Sequence, residues 1–171
     1  MTNPIDQAHC YLIYGLACSL KPTSILELGY GEGSSSRALR AAMHFNEIPC
    51  RYVVVDDWRA HGGQIPFELN KAEVFSMTEE AFYNGPAKGE SFDLILSDAD
   101  HEHSDGWFEQ SLSILRSPGL LIYHDVTNPN HPNLATLAQR AMTAHYDILL
   151  FNKSSRAGEQ CERGLLVISK A

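Results

Sequence analysis

The sequence predicts an α/β fold: a Rossmann-like three-layer sandwich on a seven-stranded, mostly parallel sheet that closes with a C-terminal antiparallel hairpin. Three observations carry this. Short apolar runs of strand length alternate with amphipathic helical stretches through most of the chain. The run Ile25–Leu28 leads into three alternating glycines, Gly29, Gly31 and Gly33, and then a serine-rich helix start. Two strand-like segments, Tyr146–Phe151 and Leu165–Ile168, finish the chain with no helix between them, so they pair as antiparallel neighbours.

The elements follow in order. Ile5, Tyr11, Leu12, Leu16 and Leu20 recur at helical spacing, predicting a leading helix over 5–20 that Lys21-Pro22 ends. After the first strand, 25–28, a helix over 34–45 presents Ala38, Leu39, Ala42, Met43 and Phe45 to one sheet face. Arg51–Val55 is a buried β-branched strand, and residues 59–70, with Gly62, Gly63 and Pro66, form a loop or short helix. Ala72–Phe75 is a third strand and Thr78–Phe82 a short helix. Phe92–Ser97 is the fourth strand and Asp105–Leu115 an amphipathic helix. Ser117-Pro118-Gly119 reads as a turn before a fifth strand, Leu120–His124, and Asn133 as the cap of a last helix carrying Leu134, Leu137, Ala138, Ala141 and Met142. The polar link Asn152–Arg163 reads as a mobile hairpin loop.

At 171 residues the chain suits a single domain, 1–171. Thirteen basic and 21 acidic residues give a net charge of −8, which argues against nucleic acid as partner. Four cysteines without a CxxC pair read as reduced thiols. No apolar run approaches the roughly 18 residues of a membrane span, and no signal-peptide pattern opens the chain. The expectation is a cytoplasmic protein acting on a small molecule away from membranes, with homo-oligomerisation left open.

Polar groups follow nearly every core strand: Gly29–Gly33 the first, Asp56 and Asp57 the second, Met77 and Thr78 the third. Asp98, Asp100 and His101 follow the fourth, His124 and Asp125 the fifth. In a parallel sheet these meet on one rim, where ligands bind. The glycine spacing is G-x-G-x-G, not the dinucleotide pattern G-x-G-x-x-G, and Glu27 and Glu32 would repel a pyrophosphate. The helix start at Ser34 offers N–H groups to a carboxylate. Asp56 is placed for ribose hydroxyls, Asp57 for a turn and Trp58 for a wall against a base. The ligand implied is adenosine-like, carries a carboxylate and needs no phosphate.

Glu27-x-Gly29-x-Gly31-x-Gly33, the acid ending the second strand, Phe92–His101 and Pro118–Val126 together resemble the class I S-adenosylmethionine-dependent methyltransferases. Within them the likeness is to small-molecule O-methyltransferases, the branch of macrolide-sugar and cephalosporin-pathway enzymes. It covers roughly residues 23 to 127. The resemblance implies that Glu27, Gly29, Tyr30, Gly31, Gly33 and Ser34 hold the methionine part of the cofactor. Asp56 would take the ribose, with Asp57 and Trp58 beside it, Met77 and Thr78 would border the adenine, and Asp98 would close the cofactor site. It implies Mg²⁺ at Asp98, His124 and Asp125, and His101 as general base.

Imidazole is a poor ligand for Mg²⁺, so other readings stay open. Asp98, Asp100 and Asp125 could bind the ion, His101 and His124 could select a transition metal, or a histidine could act with no metal. His9, His44 and His145 read as surface or helix-packing residues, His61 and His131 as loop residues within reach of the rim, and His103 as a helix-start residue. Two competing functions remain: a cofactor-binding or scaffold protein without turnover, and an NAD-dependent oxidoreductase. The glycine spacing and the missing Tyr-x-x-x-Lys pair count against the latter.

Overall fold

A computed structural model of the chain describes residues 7–151 and 163–171. The start of the expected first helix and nearly all of the Asn152–Arg163 link, Cys161 included, lie outside the described residues. The strands are β1 (Ser24–Leu28), β2 (Arg51–Asp56), β3 (Glu73–Ser76), β4 (Phe92–Ser97), β5 (Leu115–His124), β6 (Asp147–Phe151) and β7 (Leu165–Lys170). The helices are α1 (Gln7–Leu20), α2 (Ser34–Asn46), α3 (Glu79–Asn84), α4 (Phe108–Ile114) and α5 (Thr136–Thr143). Three short 3₁₀ turns join them, two of them in the β2–β3 connection.

The strands form one sheet in the order β3-β2-β1-β4-β5-β7-β6. The first five run parallel, and β7 pairs antiparallel with both β5 and β6. Chain order reverses between β1 and β4, which opens a crevice at their carboxyl ends. Alternation along the strands divides the core in two. Ile25, Val54, Leu94, Leu96 and Ile122 face α1 and α2, against Ile13, Ala17, Leu39 and Ala42. Leu26, Leu28, Val53, Val55, Ile95 and Leu121 face α3, α4 and α5, against Phe82, Phe108, Leu112, Leu137 and Ala141. The result is the three-layer sandwich the sequence predicts.

Three local expectations are corrected. Phe45, expected on the sheet-facing side of α2, is exposed instead. Strand β5 starts at Leu115, not after a Ser-Pro-Gly turn. Leu115 pairs with Phe92, the register slips, and Leu120 resumes it against Leu94. Ser117-Pro118-Gly119 is thus an irregularity inside a continuous strand, because sheet pairing on both sides of it overrides local turn chemistry. Asn133 does not cap the last helix, which begins at Thr136; its side-chain amide instead donates to the carbonyl of His101 at 2.9 Å. Among the described residues no helix is long and apolar enough to cross a membrane.

Candidate functional site

The rim at the carboxyl ends of β1, β2, β4 and β5 has two sides. On the first, the glycine turn is a backbone structure held from behind by side chains. Gly29 has φ +85°, and a Cβ there would lie 2.4 Å from the carbonyl oxygen of Asp98. Only glycine lets the turn pass so close to the end of β4. Gly33, at φ +72°, lies against the Tyr30 ring and opens α2. The Tyr30 phenol donates to Glu68 at 2.7 Å, and His61 Nε2 donates to the Gly31 carbonyl at 2.5 Å, so the β2–β3 connection grips the turn.

Glu27 stands behind this turn, fully buried. Its carboxylate accepts hydroxyl protons from Ser35 and Ser36, each at 2.5 Å, and from Tyr52. Burial pushes its pKa up to about 7, against the opposing pull of those hydrogen bonds. Glu27 therefore positions the turn and the first residues of α2 from the buried side. Asp56 works in a related way. One oxygen accepts from the Tyr30 N–H at 2.8 Å, the other from the Trp58 N–H at 2.6 Å. Each oxygen keeps a lone pair, so these bonds leave ribose recognition open.

Other expected cofactor residues sit differently. Trp58 is packed in the core at 1% exposure, too deep for a wall against a base. Asp57 is a turn residue, accepting from the Arg59 N–H at 3.0 Å. Thr78 caps α3, its hydroxyl accepting from the Ala81 N–H at 3.2 Å. Met77 is half-buried against the core. Ser34 Oγ accepts from Arg37 at 2.9 Å at the start of α2.

On the second side the side chains face one another. His124 Nδ1 donates to Asp98 Oδ1 at 3.1 Å, while its Nε2 lies 2.9 Å from Nδ1 of His9 on α1, one donating and the other accepting. His101 Nε2 is 3.2 Å from Asp125 Oδ2 and 3.5 Å from Asp98 Oδ1. The His101 and His131 rings meet edge to face at 4.6 Å. Arg163 Nε is 3.9 Å from Asp125 Oδ1. Burial lowers the His101 pKa, but the Asp125 hydrogen bond and the charges of Asp98 and Asp125 outweigh it and raise it overall. His124 is raised in the same way, burial being overcome chiefly by Asp98. Asp125, although buried, is held down at about 2 by His101, His124 and Arg163. His131 is lowered by burial and by His101.

His9, grouped above with surface and packing residues, is fully buried and reaches this cluster. The available signal was its four-residue spacing to Ile13 and Ala17, which puts all three on one buried helix face. His131, read from its loop as within reach of the rim, does reach it; Arg163 carries no local signal and is brought in by the fold. His44 and His145 are exposed as expected, and His103 pairs with Asp100 at 2.8 Å.

Asp98, His124 and Asp125, the trio the resemblance implies for Mg²⁺, each bring a donor atom within 4.8 Å of the others. The chemistry of this trio does not fit that ion. Mg²⁺ takes oxygen donors in octahedral geometry. His124 is 1% exposed, with Asp98 on one nitrogen and His9 on the other. Asp125 is already offset by His101 and Arg163.

The sheet order, the glycine turn at its switch point and the acidic rim together are the class I methyltransferase fold. Solved structures share this fold. An O-methyltransferase from Bacillus cereus, crystallised with S-adenosylhomocysteine, superposes with a TM-score of 0.80 at 15% identity, over 98% of this chain and 83% of that one. The O-methyltransferase TomG of tomaymycin synthesis in Streptomyces achromogenes, crystallised with S-adenosylmethionine, gives 0.72 at 17% identity, over 98% and 82%. The S-adenosylhomocysteine-bound methyltransferase PaMTH1 of Podospora anserina gives 0.69 at 16%, over 97% and 79%. No family model and no curated protein matches the sequence. The chain thus has the fold of these methyltransferases.

Proposed function

We propose that the chain transfers the methyl group of S-adenosylmethionine to a hydroxyl of a small molecule or sugar. The observation that carries this reading is the pairing, across one crevice, of a backbone cradle with an imidazole–carboxylate cluster. The cradle, Gly29 to Gly33 with Asp56 below it, suits a ligand with a carboxylate and a ribose but no phosphate. On the other side, His101 is held between Asp98 and Asp125. A hydroxyl is a poor nucleophile until its proton is drawn off, and neutral His101 takes that proton. Asp98 and Asp125 then stabilise the imidazolium that forms. Transfer also needs the acceptor oxygen in line with the sulfonium methyl, which the closeness of the two sides serves. The G-x-G-x-G spacing, the two O-methyltransferase structures and the methyltransferase PaMTH1 support this reading over an oxidoreductase.

The test is thermal melting with S-adenosylhomocysteine, S-adenosylmethionine and NAD in parallel. Stabilisation by the first two alone is expected. A shift with NAD only, or with none of the three, would overturn the assignment. A cofactor-bound protein that methylates no panel of hydroxylated sugars and phenols would instead favour the scaffold reading.

A further inference from the structure

We infer that His101, Asp125 and His131 form a binding site for a divalent transition-metal ion, distinct in donor set from the Asp98–His124–Asp125 trio. The three side chains come from separate segments: the turn after β4, the end of β5 and the loop beyond it. One donor atom from each lies within 4.8 Å of the others. An ion bound at about 2.0–2.2 Å sets neighbouring donors roughly 3.0–3.5 Å apart, and His101 Nε2 and Asp125 Oδ2 already stand 3.2 Å apart. The ion would replace the proton that these two atoms share.

The loop is built to hold His131 there. Asn133 donates from one side-chain amide to the His101 carbonyl at 2.9 Å, the Glu102 carbonyl at 3.3 Å and Asp105 Oδ1 at 2.9 Å. The His131 N–H donates to the Asn128 carbonyl at 2.9 Å, and its own carbonyl accepts from Leu134 at 3.1 Å. Loop and His101 turn therefore form one stapled unit. Asp125 sits in a left-handed backbone conformation, φ +58°, at the point where β5 ends. Such a conformation is uncommon for a residue with a side chain and here aims the carboxylate at His101.

Among the described residues the His131 ring has no hydrogen-bond partner, only the edge contact with His101. It thus keeps a nitrogen lone pair to give. His124 differs: it is buried, and the partners on both its nitrogens hold it in place. Two imidazoles and one carboxylate select Zn²⁺, Co²⁺, Ni²⁺, Mn²⁺ or Fe²⁺ over Mg²⁺. Bound, the ion would take the His101 Nε2 lone pair, so His101 acts as a base only while the site is empty.

Binding of the ion does not depend on the methyl-transfer reading, so the two can fail separately. The experiment titrates chelator-stripped protein with CoCl₂, following the visible d–d bands and the heat of binding, with S-adenosylhomocysteine melting run alongside. Wild type is expected to bind one Co²⁺, with MgCl₂ a weak competitor. His131→Ala, a loop substitution, is expected to weaken Co²⁺ binding by roughly tenfold or more while the S-adenosylhomocysteine shift persists. The inference is overturned if wild type binds no Co²⁺ at one equivalent. It is equally overturned if His131→Ala binds it as wild type does, or if Asp98→Asn abolishes binding that His131→Ala leaves intact.

Discussion

The two sides of the crevice use similar residues in opposite ways. Around the glycine turn, polar side chains look inward: Glu27 and Asp56 spend their oxygens on hydroxyls and backbone N–H groups of their own neighbourhood. What a ligand meets there is mostly main chain. At the ends of β4 and β5 the carboxylates and imidazoles meet each other, sharing protons across about 3 Å. One side is organised by shape, the other by charge. A shape made of backbone tolerates little change, whereas a charge cluster can be retuned residue by residue.

The sharpest way to break that division is Gly29→Ala. Its Cβ would drive into the Asp98 carbonyl, joining the two sides in a single clash, and would hold alanine at φ +85°. We expect a loss of about 3 kcal/mol in stability and no S-adenosylhomocysteine shift, measured by urea unfolding and melting. A variant that still binds the cofactor normally would show the contact to be yielding.

The next effect sharpens the first side. The folded pKa of Glu27 is about 7, above the ordinary carboxyl value of 4.5. Folding therefore takes up a proton between these values. The stability it contributes is complete below about pH 4.5 and is lost as pH rises through 7. Replacing it by glutamine keeps the shape and removes the titration. The fall in unfolding free energy from pH 5 to 7.5 should then shrink by about 2 kcal/mol. An unaltered slope would mean that Glu27 is ionised in the folded protein.

The smallest effect falls on the second side alone. His9→Leu removes the partner of His124 Nε2 inside the core. The expected cost is about 1 kcal/mol, with methyl transfer slowed and the S-adenosylhomocysteine shift unchanged. His9→Asn, which keeps a polar atom near Nδ1, should recover part of the rate. Equal losses in both variants would reduce His9 to packing.

The sequence was readable where structure is written locally. Ile25–Leu28 with its glycines, the β-branched Arg51–Val55 and the strand-end acids gave sheet, switch point and rim, because a strand followed by a turn needs only near neighbours. The start of β5 was misread since Leu115 is a strand residue only through its pairing with Phe92. The role of Asn133 was missed because its partners lie about 30 residues earlier in the chain, at His101, Glu102 and Asp105. His9 is a milder case: its spacing to Ile13 and Ala17 marks a buried helix face, but its meeting with His124 comes only through folding. Glu27 was found as an acid at the right place, yet its direction was set by Tyr52, on a different strand.

The Asn133 staple carries a lesson for anyone reshaping the molecule. Three groups of the His101 turn hang from one amide on the opposite loop, so neither segment is an independent part. Transplanting residues 128–134 from a relative without residues 101–105 would leave the His101 carbonyl unmatched and let His101 drift from Asp125. The two loops should therefore be exchanged together, much as a lock is replaced with its strike plate.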